Sequence, residues 1–194
     1  MIERSASSRF LPGYVAFPGG AVEPQDERLA ESWFGDRAEA SRACAVRELV
    51  EEVGLALTGS GLRDGPVPSA SSIETIRSEP PSIAQLPQIA HWVAPEDVPV
   101  RFDALYLAAA ADDGLEPKAD GTETADAWWI SPAALLEGWE AGSTKLYWPT
   151  YLTVRELARC GSVEELLTMS IETREPNDEE LEHLHRSTFW QDSS

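Results

Sequence analysis

The chain has 194 residues, of which 42% are apolar, and this is enough for one domain with a sizeable buried core. Fifteen basic against 34 acidic residues give a net charge of −19, a field that disfavours non-specific binding to nucleic acid or to an anionic membrane surface. No stretch approaches the roughly 18 apolar residues of a membrane span, and the N-terminus lacks the apolar core of a secretory signal, so we expect a soluble, cytoplasmic protein with reduced Cys44 and Cys160.

The first predicted strand covers Tyr14–Phe17 and runs into Pro18-Gly19-Gly20. Such a turn lets the backbone itself approach a ligand closely, since its glycines carry no Cβ. A polar stretch with Trp33 and Phe34 then leads to Glu39, and we expect it to form a surface loop or a short helix.

An amphipathic helix is predicted next. Asp36 followed by Glu39 resembles a capping box, and Gly54 supplies a left-handed stop. Apolar residues at helical spacing predict a core-facing stripe of Ala40, Ala43, Val46, Leu49, Val50 and Val53.

Three carboxylates lie on another face of this helix. Side chains at positions i, i+3 and i+4 share a face, so Glu48, Glu51 and Glu52 point into one small volume. Like charges at these spacings cost about 0.2–0.5 kcal/mol per pair, and a divalent cation would reverse that cost. Magnesium takes oxygen ligands of this kind, together with substrate phosphates. A solvated acidic face is the alternative reading in a chain this acidic.

The second half of the chain alternates strands and helices. Residues from Thr58 to Pro87 are rich in Ser, Pro and Gly and predict an extended connection, with a short helical piece near Ser71–Ser78. The further predicted strands are Ile89–Val93, Phe102–Ala110 and Trp128–Ile130, and the further predicted helices are Pro132–Trp139, capped by Ser131, Pro149–Arg159 and Ser162–Met169. This interleaving indicates a layered α/β fold, with one domain over residues 1–175 and an acidic tail or helix over residues 176–194.

The acidic helix resembles the C-terminal part of the Nudix box, whose pattern is G-x5-E-x7-R-E-U-x-E-E-x-G-U with U aliphatic. The run Arg47-Glu48-Leu49-Val50-Glu51-Glu52-Val53-Gly54-Leu55 fills every fixed position, with Glu39 seven intervening residues earlier. Counting back from Glu39 places Trp33 where the box has its first glycine, whereas the glycine pair ends at Gly20. We therefore infer an insertion of thirteen residues between the glycine turn and the helix.

A second motif is similar to the signature of coenzyme A-cleaving Nudix enzymes. Arg4-Ser5, Arg9, Gly13 and Phe17-Pro18-Gly19-Gly20 follow the pattern R-S-x3-R-x3-G-x3-F-P-G-G. Together with the long insertion, this motif places the resemblance in the coenzyme A diphosphatase-like branch of the superfamily. Arg4 and Arg9 have a physical reason to bind phosphate, since guanidinium groups bind such groups bidentately.

The resemblance implies a Nudix-type α/β/α sandwich with a mixed β-sheet. It also implies hydrolysis of the diphosphate of coenzyme A or acyl-CoA to 4′-phosphopantetheine and adenosine 3′,5′-bisphosphate. Magnesium or manganese would be held by Glu48, Glu51, Glu52 and the Gly19 carbonyl.

Further roles follow from the same resemblance. Glu51 or Glu123 would accept the proton of the attacking water, and Arg47 would orient a glutamate. Arg4, Arg9 and Gly20 would contact the substrate, which we expect to be a small nucleotide conjugate.

Two alternatives stay open at this point. Another conjugate such as ADP-ribose or NADH could be the substrate, or the chain could be a shortened, non-catalytic nucleotide-binding or interaction module. The second alternative arises because a strand precedes the Arg-Ser motif in the family, whereas Met1 stands only three residues before Arg4. We therefore expect the N-terminal strand of the sheet to be missing, and an exposed sheet edge would favour a homodimer.

Overall fold

A computed structural model describes residues 1–8, 10–65, 73–94, 102–174 and 177–178. The strands are β1 (Ile2–Arg4), β2 (Val15–Ala16), β3 (Leu55–Thr58), β4 (Gly61–Asp64), β5 (Gln88–Val93), β6 (Asp103–Leu107) and β7 (Thr124–Ala127). The α-helices are α1 (Pro24–Phe34), α2 (Ala40–Val53), α3 (Glu74–Arg77), α4 (Pro132–Glu140), α5 (Trp148–Leu157) and α6 (Val163–Thr168). No helix within these described ranges is long and apolar enough to cross a membrane.

A three-stranded sheet in the order β2-β1-β7 lies at the centre of the fold. Ile2 of β1 pairs with Ala16 on one side and with Ala127 on the other, and both pairings are antiparallel. Val15 forms an additional parallel bridge to Leu146. The named strands of the sheet thus pair antiparallel, and the parallel contact that we expected of a mixed sheet is limited to this one bridge among the described residues.

Helices cover both faces of this sheet. On one face, Ile2 is buried in a core cluster that contains α1 and α2 residues, with Ala16 and Ala127 packed against it. On the other face, Val15 is buried with Leu135 and other residues of α4 and α5. This arrangement confirms the expected α/β/α sandwich.

The start of the chain differs from expectation in one respect. β1 begins at the second residue and is hydrogen-bonded on both sides, so the exposed edge that we expected is not at this strand. The strand that we expected to be missing before the Arg-Ser motif is therefore present as β1.

Two β elements differ from the sequence-based assignment. Trp128–Ile130 is not a strand, because the strand ends at Ala127, although the Trp128 N–H still donates to the Met1 carbonyl at 3.0 Å. The stretch predicted as an extended connection begins with the β3–β4 hairpin. Both errors have one cause. The first and last residues of a strand are set by hydrogen bonding to its partner strand, and local amino-acid propensity does not predict that pairing.

The other elements follow their local signals. β5, β6 and α4 lie within or beside the predicted ranges, and the Ser131 side chain accepts from the Ala134 N–H as the predicted cap. α5 and α6 are likewise confirmed, and α3 lies in the short helical piece. The predicted acidic tail beyond residue 178 lies outside the described residues.

The polar insertion forms helix α1, so the short-helix alternative is confirmed. Glu23 and Asp26 form a reciprocal capping box, and Pro24 occupies the first turn. Leu29 and Trp33 are buried in the core cluster shared with α2. The insertion is therefore part of the hydrophobic core and not a surface loop.

Helix α2 begins at Ala40, one 3₁₀ turn after Asp36, the residue that we predicted as its N-cap. The Asp36 side chain accepts from the Ala38 N–H and opens a 3₁₀ turn over Arg37–Glu39, after which α2 begins. Gly54 ends α2 with φ 64°, a left-handed conformation that favours glycine. The apolar stripe anchors the helix, since Val46, Val50 and other members of it are buried.

A buried ion pair joins α1 to α2. The Arg47 Nε lies 2.8 Å from Asp26 Oδ1, and Arg47 Nη2 lies 3.0 Å from Asp26 Oδ2. The side chains are 3% and 0% exposed, respectively. A second pair between Arg42 and Glu39 lies nearer the surface.

We expect the Asp26→Asn substitution to destabilise the protein by about 3 kcal/mol, because it leaves the buried Arg47 charge without its main partner. Urea unfolding, followed by circular dichroism at pH 8, measures this change in the free energy of unfolding. Asparagine keeps the size of the side chain, so the loss reports on charge and not on a cavity.

The matched control is Glu39→Gln, which removes the same charge from a partly exposed pair. Such pairs contribute about 0–1 kcal/mol, so this variant should unfold close to the wild type. Equal losses in the two variants would contradict a special role for the buried pair.

Candidate active site

The Arg47 guanidinium lies at the centre of the acidic cluster. Its Nη1 atom is 2.8 Å from Glu48 Oε1 and 2.8 Å from Glu51 Oε2, while its other edge binds Asp26. Hydrogen bonding to Asp26, together with bonding to Glu51, raises the pKa of Arg47 above its ordinary value although burial opposes this. One permanent cation therefore holds three carboxylates in place.

Glu52 is held by the glycine turn. Its Oε2 accepts a 2.8 Å hydrogen bond from the Gly19 N–H, and the residue is 5% exposed. Burial raises the pKa of Glu52 to about 7, although the Gly19 hydrogen bond opposes this shift. Burial also raises the pKa of Glu48, against the opposing effect of Arg47. Both carboxylates are thus partly removed from water, and in each case the effect of burial outweighs that of the hydrogen-bond partner.

Gly20 lies against Glu48. A Cβ atom added at Gly20 would lie 2.6 Å from Glu48 Cδ, which is closer than any real contact. A side chain at this position would therefore displace the Glu48 carboxylate, and the expected role of Gly20 in substrate binding stays a prediction. The glycine pair brings the turn into contact with the carboxylate face of α2.

The loop that carries Glu123 is docked on the end of α2. The Lys118 N–H donates to the Val53 carbonyl at 2.8 Å, and the Asp120 N–H donates to the Glu52 carbonyl at 3.2 Å. The Asp120 side chain in turn accepts from the Glu123 N–H at 3.2 Å. Glu123 lies close enough to raise the pKa of both Glu48 and Glu52.

Arg4 lies beside the same cluster. Its Nε donates to the Phe10 carbonyl at 2.9 Å and its Nη2 to Ser8 Oγ at 2.8 Å. The charge of Arg4 acts to lower the pKa of Glu52, which places the two side chains within electrostatic reach. Arg9, the other arginine of the motif, lies outside the described residues.

The carboxylates do not converge as we expected for a bound cation. Within the described part of the chain, no group of three His, Cys, Asp or Glu side chains is arranged to hold a metal ion. The reason is that Arg47 binds Glu48 and Glu51, while the Gly19 N–H binds Glu52. The donors nevertheless fit a hard cation, because half-buried Glu48 and buried Glu52 have raised pKa values that a positive charge would lower.

Asp26 is the site residue that the sequence reasoning missed. Glu39, counted back from Arg47, fills the glutamate position of the motif, but in the structure it pairs with Arg42. Asp26 stands six residues after Gly20, the spacing of the G-x5-E portion, with aspartate in place of glutamate. Counting forward from the glycine turn would have found it.

Cys44 is a buried neighbour of the cluster and not a nucleophile. Burial, followed by the nearby Asp26 charge, raises the pKa of its thiol to about 12. A thiol with this pKa stays protonated near pH 7, which disfavours both metal binding and attack. Cys44 and Cys160 are both free, as expected.

Comparison with known proteins gives one consistent result. The NUDIX domain model matches residues 1–148. The Caenorhabditis elegans protein "Putative nudix hydrolase 7" is 28% identical over 178 residues, which cover 85% of this chain and 56% of that protein. The chain thus spans little more than half the length of this curated relative.

A solved structure supports the same assignment. The crystal structure of a NUDIX hydrolase from Alicyclobacillus acidocaldarius matches with a TM-score of 0.74 and 28% identity, over 89% of this chain and 88% of that chain. This likeness confirms the expected Nudix-type α/β fold. Because the family model matches most of the chain and includes every residue of the cluster around Arg47, this chain belongs to the Nudix family.

Proposed function

We propose that the protein is a divalent-metal-dependent hydrolase that cleaves the diphosphate of a nucleoside diphosphate conjugate. The observation that carries this proposal is that Arg47 holds Glu48 and Glu51 while the Gly19 N–H holds Glu52, so that the three carboxylates of one helix adjoin the Gly19-Gly20 turn. Burial raises the pKa of Glu48 and of Glu52, and a ligand that brings positive charge would stabilise their charged forms.

The residues divide into binding and positioning roles. Glu48, Glu51 and Glu52, with the Gly19 carbonyl, would hold Mg²⁺ or Mn²⁺, which when bound neutralises phosphate charge and lowers the pKa of the attacking water. Arg47 positions Glu48 and Glu51 through its two short contacts. Glu51 or Glu123 accepts the proton of the water, since both side chains are more accessible than Glu52.

Coenzyme A or an acyl-CoA is the substrate that we propose within this class. Support comes from the Arg4-to-Gly20 motif and from the position of Arg4 within electrostatic reach of Glu52. Cleavage would yield 4′-phosphopantetheine, or its acyl form, and adenosine 3′,5′-bisphosphate. A positive side chain beside the site gives a polyanionic substrate a local attraction on a protein of net charge −19.

A substrate panel tests the assignment. With Mg²⁺ present in excess over substrate, we expect turnover of coenzyme A and acyl-CoA to exceed that of ADP-ribose and NADH. Mass spectrometry of the products identifies the bond that is cleaved. Preferred turnover of ADP-ribose or NADH would refute the coenzyme A assignment and leave the hydrolase class intact.

Glu51→Gln and Glu52→Gln should each lower kcat with the preferred substrate by at least about 100-fold, because each removes a charged oxygen ligand or base. Steady-state kinetics at several Mg²⁺ concentrations measures the loss, and circular dichroism checks the fold. Glu39→Gln is the matched control and should retain activity, since Glu39 contacts Arg42 outside the cluster. Full activity in both cluster variants would contradict the site assignment.

The raised pKa of Glu52 predicts a pH dependence of stability. Its pKa is about 7 in the folded protein against an ordinary value of 4.5, so the folded state binds the extra proton between these values. This contribution to stability is complete below the ordinary value and is lost as the pH rises through 7. In EDTA, Glu52→Gln should therefore be more stable than the wild type above pH 7, by about 1–3 kcal/mol.

Urea unfolding in EDTA across this pH range measures the difference, which should shrink toward acidic pH. Added Mg²⁺ should stabilise the wild type and leave Glu52→Gln nearly unchanged, because ligands stabilise only the state that binds them. A difference that does not vary with pH would show that Glu52 is not the titrating group.

A further inference from the structure

Two cations that lie near the candidate active site, Arg4 and Lys145, have no carboxylate partner, a property that they share with Arg28 and Lys118 elsewhere in the described part of the chain. Carboxylate partners lie within 4.0 Å of the side chains of Arg37, Arg42, Arg47, Arg63, Arg155 and Arg159. Among the residues that the structure describes, no carboxylate lies at such a distance from Arg4 or Lys145. What distinguishes Arg4 and Lys145 from Arg28 and Lys118 is their position, because backbone contacts place both of them on segments adjoining Tyr14.

The backbone places these cations in one row across the sheet. The Arg4 N–H donates to the Tyr14 carbonyl at 2.9 Å, and on the other side of Tyr14 the Val15 N–H donates to the Lys145 carbonyl at 2.9 Å. Arg4 and Lys145 therefore flank Tyr14 on neighbouring extended segments. Adjacent strands lie about 4.8 Å apart, so the two backbones are roughly 10 Å apart.

Side-chain contacts hold both cations in position. The Lys145 ammonium lies over the Tyr14 ring, 5.9 Å from its centroid, while Lys145 itself is exposed. Arg4 uses Nε and Nη2 for neutral oxygens of Phe10 and Ser8, which leaves the donors of its Nη1 amino group. Both side chains can thus donate to an anion without giving up a carboxylate partner.

The row ends at the carboxylate cluster. The Ser5 N–H, next to Arg4, donates to the Glu123 carbonyl at 2.9 Å, and the Arg4 charge acts on Glu52. An anion bound by this row would lie beside the diphosphate site and not within it. It would therefore belong to a second phosphate group of the same substrate.

We propose that Arg4 and Lys145 bind a phosphomonoester that the substrate carries in addition to its diphosphate. This inference rests on the proposed function, because it takes the diphosphate to lie at the carboxylate cluster. A phosphomonoester carries about −1.5 to −2 charges near pH 7, which matches two unpaired cations. A diphosphate conjugate that lacks this group leaves both cations without a partner, so the row selects for the phosphorylated form.

Matched pairs of compounds test this selection, since coenzyme A and dephospho-coenzyme A differ by one phosphomonoester, as do NADPH and NADH. One of these two pairs should be hydrolysed. Within that pair, we expect the wild type to have a KM at least about tenfold lower for the compound with the extra phosphomonoester than for the compound without it. Lys145→Gln should remove most of this preference by raising KM for the compound with that phosphomonoester, with kcat unchanged. Equal effects on both members, or none, would overturn the proposal.

A charge control separates specific binding from the general field. Arg159 is 69% exposed and lies just beyond the C-terminal end of α5, about 16 Å along the helix from its start near Lys145. Arg159→Gln removes one positive charge and should leave the preference intact. Lys145→Arg keeps the charge and should retain part of the preference, whereas a loss as large as that of Lys145→Gln would count against recognition by charge.

Binding without turnover distinguishes this inference from the proposed function. Isothermal titration calorimetry should show that adenosine 3′,5′-bisphosphate binds the wild type at least about tenfold more tightly than AMP, and that Lys145→Gln abolishes the difference. This result would support the cation pair even if coenzyme A were not hydrolysed. Equal affinities for the two nucleotides would refute the pair even if coenzyme A were hydrolysed.

Discussion

The buried contact between Arg47 and Asp26 is the interaction on which the site depends. A charged pair removed from water is costly to form, and it persists only where its geometry and its other hydrogen bonds are well satisfied. Here the two-point contact with Asp26 leaves Nη1 of Arg47 for Glu48 and Glu51. The orientation of the glutamates therefore follows from a residue on a different helix, and the inserted segment is a structural part of the site.

The acidic cluster lowers the stability of the fold that holds it. Burial raises the pKa of Glu48 and of Glu52, so two carboxylates lie in surroundings that favour their neutral forms. The apolar stripe of α2 and the docked loop before Glu123 hold these side chains in place despite that cost. Such a balance is typical of binding sites, in which stability is given up for affinity toward a charged ligand.

Local signals were sufficient for most helices and insufficient for two β elements. Ser131 with Pro132 predicted the start of α4, and Gly54 predicted the end of α2, because caps and stops act over a few residues. β7 was misplaced because its bounds depend on pairing with β1, more than 100 residues earlier in the chain. The β3–β4 hairpin was missed within a segment whose composition is typical of a connection.

The amino-acid pattern alone predicts that Glu48, Glu51 and Glu52 share one face of a helix ended by Gly54, since the helical period fixes the directions of side chains within one element. Counting along the chain leaves both Glu39 and Asp26 as candidates for the motif carboxylate. Packing of α1 on α2 selects Asp26 as the partner of Arg47, and strand pairing places Arg4 and Lys145 on either side of Tyr14. The physical reason is that contacts between elements depend on packing and strand register, and these are set by the whole core. Periodicity within one segment does not encode them.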